Sequence, residues 1–389
     1  MIKKIILGFL GGIVLLFVII CGYLYSLKVE RPDGRIAVLS ALHHEKYQAS
    51  VPKAEEWVSS IYSLHLLPSL SAAVGIDGDL VWEGVIGYSN IQDQVMANHK
   101  TGYRIGSISK SMTASAVLQM HQKGIIQIDR PFNTYVKDYA SGKAGYTIRQ
   151  LLTHQAGIRH YAGYFTEAFN TREYHSTREA ASIVENDDLL FTPGTGFNYS
   201  TYGYTLIALA MESASASSFE KIMADTVFLP MGMRSTYFDK INTKQETGQA
   251  TPYISIDDFF FTPPKENVSY KYAGGGLVST PSDMVKFGNS LLNDDFLNAE
   301  SRTVLWQPVP LKTGGMNPQN YALGFRTGRD EFGMFAHHGG SLTGGYSFLI
   351  VYPEIGFVVA FSTNTRPSGF NRLEAAKKMV GIFTNKERN

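Results

Sequence analysis

Tyr103-Arg-Ile-Gly-Ser-Ile-Ser-Lys-Ser-Met-Thr113 holds Ser107 and Lys110 three positions apart, at the start of the apolar run Met112, Ala114, Ala116, Val117, Leu118 and Met120. On a helix, that spacing sets hydroxyl and amine on one face within contact. Burial disfavours the ammonium form of lysine, and a neutral amine can take a serine proton, so Ser107 becomes a nucleophile without a histidine triad. The same spacing recurs at Ser50–Lys53 and Ser218–Lys221. At the first, Pro52 is expected to hold Val51 out of helical geometry. The second sits beside Glu220 on a solvated helix face. Ser107 differs in context: it follows Gly106, which permits close backbone approach, and opens a run apolar enough to be a buried helix. The competing role for Ser107 is a plain helix N-cap.

Two later stretches extend the pattern. Pro193-Gly-Thr-Gly-Phe-Asn-Tyr-Ser-Thr-Tyr-Gly-Tyr204 is a turn leading into a helical pattern, and His337-His-Gly-Gly-Ser-Leu-Thr-Gly-Gly-Tyr346 runs into a strand over 347–352. With Ser107 and Lys110 these resemble the three active-site motifs of the serine β-lactamase and penicillin-binding-protein superfamily, in its class C-related branch. There the second motif is Tyr-x-Asn and the third is Lys-Thr-Gly or His-x-Gly on an inner strand. Thr147 to His154, Gly157 to Tyr161, Pro230 to Tyr237 and Gly274 to Thr280 add to the likeness. In motif form the chain is similar to the mitochondrial serine β-lactamase-like proteins and their bacterial relatives, over roughly residues 50–385.

The resemblance implies roles residue by residue. Ser107 would be acylated, Lys110 would activate it, and Tyr199 would relay protons to and from the leaving group. In a chain with 22 tyrosines, motif order is what distinguishes Tyr199. Thr201 stands where many relatives carry Asn, and a hydroxyl lacks the amide's reach and its two donors. With Gly339, Gly340 and Ser341 it would line the substrate side, and backbone N–H groups of Ser107 and of the strand near Ser341 would form an oxyanion hole.

The third motif requires a choice. A literal Lys312-Thr313-Gly314 exists, but the segment through Asn320 is turn chemistry. Counting back from Pro353 puts His338-Gly339-Gly340 in the His-x-Gly register, which prefers His338 over His337. A histidine there would offer a polar, sometimes cationic, group near a substrate carboxylate or developing charge. His154 and His160 read as structural. His43-His44-Glu45 lacks metal-ligand spacing, so no metal is expected. The Gly274–Gly276 run lacks GxGxxG spacing, and no cofactor is expected. Lys and Arg (35) nearly balance Asp and Glu (34), which gives no nucleic-acid footprint.

Residues 5–25 carry no charge and are long enough to span a bilayer. A signal peptide would have a shorter apolar core and a small-residue cleavage site, and bulky Ile20 before Cys21 argues against lipidation. We read 1–26 as a transmembrane anchor, 27–50 as a polar linker and 51–389 as the catalytic domain. Lys3 and Lys4 on one side against Lys28, Arg31 and Arg35 on the other leave charge nearly undecided on orientation; the resemblance implies an extracytoplasmic, single-pass protein. Cys21 is the sole cysteine, so no disulfide forms within the chain. Strand patterns at 70–76 and 80–87 flank an Asp77-Gly78 turn, a hairpin follows Tyr346, 107–240 is helices and loops, and 370–383 is an amphipathic helix. Strands at both ends around a helical middle give an α+β architecture, with an antiparallel sheet flanked by helices and a helical lobe. The aromatic segment 253–261 suits either core packing or a substrate- or membrane-facing loop. Two function classes follow: a membrane-anchored serine hydrolase acting on an amide or ester of a small-molecule or peptide-like, cell-wall-like substrate (with β-lactamase or D-alanyl-D-alanine carboxypeptidase as alternatives), or a non-catalytic binding protein of the same fold.

Overall fold

Asp77 and Gly78 both take positive φ, 52° and 93°, as a tight two-residue hairpin turn requires. The computed structural model describes residues 10–19, 21–22, 28–31, 36–139, 145–241, 248–256 and 259–384. Its main sheet has eight strands: Leu39–Leu42 (β1), Ser69–Ile76 (β2), Asp79–Asn90 (β3), Val95–Met96 (β4), Arg326–Asp330 (β5), Gly333–Leu342 (β6), Gly345–Tyr352 (β7) and Phe357–Thr363 (β8). All pairings are antiparallel, in the order β5-β6-β7-β8-β2-β3-β1, with β4 paired to β3. The N- and C-terminal strands meet at β2 and β8, where Phe357 pairs with Ile76 and Thr363 with Leu70.

β2, β7 and β8 are buried at every position, because helices cover both faces. On one face lie Val51–Leu64 (α1) and the C-terminal helix Arg372–Thr384 (α5), packing Trp57, Val58, Met379 and Val380 against Phe348 and Phe361. Trp57 Nε1 donates to Ala375 O at 3.1 Å and ties these helices together. The other face carries Pro281–Ser290 (α4) and the helical lobe, with Ile108–Gln122 (α2) and Thr201–Ser215 (α3) at its centre. α2 is buried at every position from Ile108 to Leu118, as a helix without a polar face must be.

Three expectations change. Part of the segment expected as a linker is ordered: β1 pairs with Trp82–Val85 as the sheet edge, and Glu45–Ser50 forms a short helix. Val51 is helical (φ −59°, ψ −49°) despite Pro52; proline is tolerated in a first turn, where its missing N–H has no partner to lose. The glycine run 337–342 is itself part of a strand, β6, rather than a lead-in to one.

The expected membrane span falls partly outside the described residues. Residues 10–19 and 21–22 are helical with exposed apolar side chains, and among the described residues no helix is long and apolar enough to cross a membrane. A small separate sheet joins Lys28–Val29 to Phe259–Phe261 and that strand to Ile254–Ile256. The aromatic segment therefore splits its roles: Tyr253 and Phe260 are buried beside Ile91, while Ile254 and Ile256 are exposed.

Candidate active site

Gly106 takes φ +50°, and a Cβ there would lie 2.8 Å from the Ser341 nitrogen. The chain can thus turn from Ile105 into α2 only with glycine at this point. Ser107 then stands at the N-cap position of α2, but its side chain makes no capping bond. Instead, Lys110 Nζ lies 3.2 Å from Ser107 Oγ, 3.1 Å from Thr201 Oγ1 and 2.5 Å from Gly274 O. Lys110 is fully buried. Burial pushes its amine well below the ordinary lysine range, and the charges of Arg326 and Lys271 push it further. A neutral amine matches these three partners: two N–H groups donate to Thr201 and Gly274, and the lone pair faces the Ser107 hydroxyl. Ser218, by contrast, is a true N-cap, accepting from the Lys221 amide at 3.3 Å.

The second motif enters α3. Ser200 caps that helix, accepting from Gly203 N at 3.1 Å, and so fixes Tyr199 before it and Thr201 after it. Tyr199 is half-buried. Burial raises its phenol above the usual range, while a hydrogen bond with Ser107 and the charge of Arg326 act the other way. Thr201, expected on the substrate side, turns its hydroxyl to Lys110 and lines the cavity as well. His154 and His160 accept the backbone amides of Ser200 (3.1 Å) and Thr201 (3.3 Å) through Nδ1, so both are neutral supports of the helix start. Burial, with Lys110 next, pushes His160 down to about 4.

On β6, side chains alternate. His337 lies against Phe335 and Phe348, on the face covered by α1 and α5. His338 faces Tyr199 and Tyr321. His338 Nδ1 donates to Gly339 O at 2.8 Å, since a carbonyl can only accept. Nε2 therefore accepts, from the Tyr321 hydroxyl at 3.1 Å and Arg326 Nη1 at 3.3 Å. Burial and then Arg326 hold the imidazole well below its ordinary value. The expected occasional cation at this position is thus a neutral histidine, with Arg326 supplying the charge behind it. A Cβ on Gly340 would meet Ile105 O at 1.7 Å and Ser107 N at 3.3 Å, so the strand touches the nucleophile's own amide. Gly339 faces the other way, onto the Arg372 guanidinium. Arg372 Nη1 donates to Gly340 O at 2.7 Å and Ser347 O at 3.1 Å. Ser341 approaches the same guanidinium with its hydroxyl, at 3.4 Å, leaving its backbone to face Gly106.

Arg326, Arg372, Tyr321 and the Gly274 carbonyl escaped the sequence reading. Arg372 had one visible signal, a cation at the start of an amphipathic helix. Lys312 lies on an exposed turn, its amide bonded to Gly194 O at 2.8 Å.

The nucleophile opens onto a cavity of about 430 Å³ lined by Ser107, Thr201, Lys271, Ser341, Ile254 and Arg366. A wider, shallower cleft of about 850 Å³ shares Ser255 and Arg366 with it and continues past Phe370 to His65. Among the described residues no His, Cys, Asp and Glu cluster has the form of a metal site. The arrangement suits acyl transfer: a nucleophile, a neutral amine as base, a phenol as proton relay and backbone amides for an oxyanion.

A family model described as Beta-lactamase matches residues 62–381. The chain is 26% identical to the serine β-lactamase-like protein LACTB, mitochondrial, of Homo sapiens, over 74% of this chain and 69% of that protein. It is 25% identical to penicillin-binding protein 4* of Bacillus subtilis (strain 168), over 70% of this chain and 63% of that protein. The octameric penicillin-binding protein homologue from Pyrococcus abyssi superposes with a TM-score of 0.74 at 24% identity, covering 87% of this chain and 78% of the other. The D-amino acid amidase from Ochrobactrum anthropi SV3 does so with a TM-score of 0.73 at 19% identity, covering 86% and 100%. The chain belongs to the β-lactamase family of serine hydrolases.

Proposed function

We propose that the protein is a membrane-anchored serine hydrolase that cleaves an amide or ester bond of a peptide-like or cell-wall-like substrate through an acyl-enzyme on Ser107. The observation that carries this reading is the buried Lys110 amine, 3.2 Å from Ser107 Oγ and held below its ordinary pKa. In the first step Ser107 Oγ passes its proton to Lys110 Nζ and attacks the carbonyl carbon. The backbone amides of Ser107 and Ser341 hold the resulting oxyanion. Tyr199 gives its phenolic proton to the leaving nitrogen or oxygen as the tetrahedral species collapses, and the proton held on Lys110 passes to Tyr199 in its place. Water then attacks the ester, and Ser107 recovers its proton. His338, Gly339 and Gly340 shape the strand edge along which the substrate lies.

Residues 1–26 serve as the anchor in this reading, and the folded region beyond them is the catalytic unit, facing outward from the cell. Action on β-lactams, or as a D-alanyl-D-alanine carboxypeptidase, ranks second: Thr201 supplies no amide, and neutral His338 replaces a lysine.

Intact-mass analysis of the detergent-solubilised chain, after a serine-reactive phosphonate and separately a penicillin, tests the mechanism. A single adduct absent from Ser107→Ala is the expected result with the phosphonate. No adduct from either reagent would favour a non-catalytic binding protein of this fold.

A further inference from the structure

The small sheet beside the cavity has two unlike faces. Ile254 pairs with Phe261 and Ile256 with Phe259 across the antiparallel strands, so these four apolar side chains share one face. Ile254 and Ile256 are 40% and 57% exposed. Phe260, on the opposite face, is buried with Tyr253 and Ile91. The third strand is Lys28–Val29, and Lys28 Nζ sits 3.4 Å from the centroid of the Phe259 ring. An outward apolar side on paired strands is a liability in water unless something covers it.

Two observations say what covers it. Lys28 follows Tyr25, the end of the segment 5–25 read as spanning the bilayer, by three peptide steps, a reach of at most about 11 Å. On the anchor reading, the bilayer-spanning segment therefore delivers the chain into this sheet at the membrane surface. The face also has the apolar make-up of an interfacial surface, isoleucine and phenylalanine, with Lys28 at its rim, where the amine pairs with Glu30 at 2.7 Å. Ile254 and Ser255 from the same strand line the Ser107 cavity.

We propose that the Ile254, Ile256, Phe259 and Phe261 face rests on the bilayer in which the chain is anchored, so that the Ser107 cavity opens at the lipid headgroups. This rests on the anchor reading of residues 1–26. It assigns the enzyme a substrate that reaches the site along the membrane surface, with its reactive carbonyl at headgroup depth.

The test uses the full chain, with Cys21→Ser, in phosphatidylcholine–phosphatidylglycerol vesicles carrying a headgroup-proximal spin-labelled lipid. An environment-sensitive fluorophore is attached at Ile256→Cys, at Ile254→Cys as a second position, and at Ile355→Cys as control. Ile355 lies beyond the far end of β7 from the cavity, in the turn Pro353–Ile355. The spin label should quench most of the emission at 256 and 254 and little at 355. Equal, weak quenching at all three positions in protein that floats with alkali-washed vesicles would overturn the docking and leave the anchor intact. Failure to float would remove the anchor reading and this inference with it. Unquenched 256 that cross-links between copies would assign the face to a second chain and overturn the proposal.

Discussion

Arg326 places Nη1 3.3 Å from Nε2 of His338, so the positive charge at the third motif belongs to the guanidinium and the imidazole is neutral. Burial, then Arg326, keeps His338 well below its ordinary value. In Arg326→Gln the imidazole should titrate at a higher pH, read from the ¹⁵N shifts of His338. Turnover should fall by about 100-fold, the scale of losing one stabilising donor near developing charge. An unmoved titration would show that the two groups are not coupled.

Lys110 makes a second prediction, with a definite sign. Its folded pKa is depressed, so between that value and the unfolded one near 10.5 the unfolded chain holds a proton that the folded chain lacks. Stability therefore rises with pH across that window, and is weakest below the folded pKa. Lys110→Met should lose this slope, measured by thermal unfolding at several pH values. Catalysis needs the neutral amine, so kcat/KM of the wild type should fall as pH drops through the folded pKa. Lys110→Arg, permanently charged, should lose about a thousandfold, roughly 4 kcal/mol of barrier. Equal pH slopes in wild type and Lys110→Met would refute the assignment.

The hairpin at Asp77-Gly78, the central helix after Ser107 and the C-terminal amphipathic helix were legible because each carries a local period or turn code. The strand β6 was harder. Gly339 and Gly340 read locally as loop, and only tertiary contacts explain them: Gly340 admits Ile105 O, and Gly339 admits Arg372. The choice of His338 over His337 rests on counting back from Pro353; in the fold the two rings pack on opposite faces of β6, His337 against Phe335 and Phe348 and His338 toward Tyr199. Arg326 gave no sequence signal because nothing near it in the chain marks it; it reaches His338 from the neighbouring strand, where it pairs with His337. Leu39–Leu42 is too short for its period to separate it from a linker.

Gly340→Ala should be more damaging than its size suggests. The new methyl would stand 1.7 Å from Ile105 O, against backbone that cannot swing aside, so β6 and the Ser107 loop must part. The oxyanion amides then separate. We expect at least about a 100-fold loss of kcat, comparable to removing an oxyanion donor, with a lowered Tm. Near-native activity in Gly340→Ala would mean that β6 does not supply the hole.

Glu266 and Lys271 form an ion pair of 2.6 Å with side chains only 1% and 2% exposed. Glu266 Oε2 lies 3.6 Å from Arg104, which in turn holds Asp239 at 2.7 Å. This buried chain of charges runs beside the cavity, and Lys271 is among the groups that depress Lys110. Lys271→Met leaves a buried carboxylate without its partner and should cost about 3–5 kcal/mol. Replacing both, as Glu266→Leu with Lys271→Met, should recover most of that, because two apolar groups leave no charge stranded. The single variant also removes a cation near Lys110 and keeps the anion, so the amine's pKa rises and the acid limb of activity moves to higher pH. The double variant removes both charges and should keep a limb close to wild type. Urea unfolding and pH–rate profiles of the three proteins decide it: a single variant as stable as the double would mean that Arg104 alone satisfies Glu266.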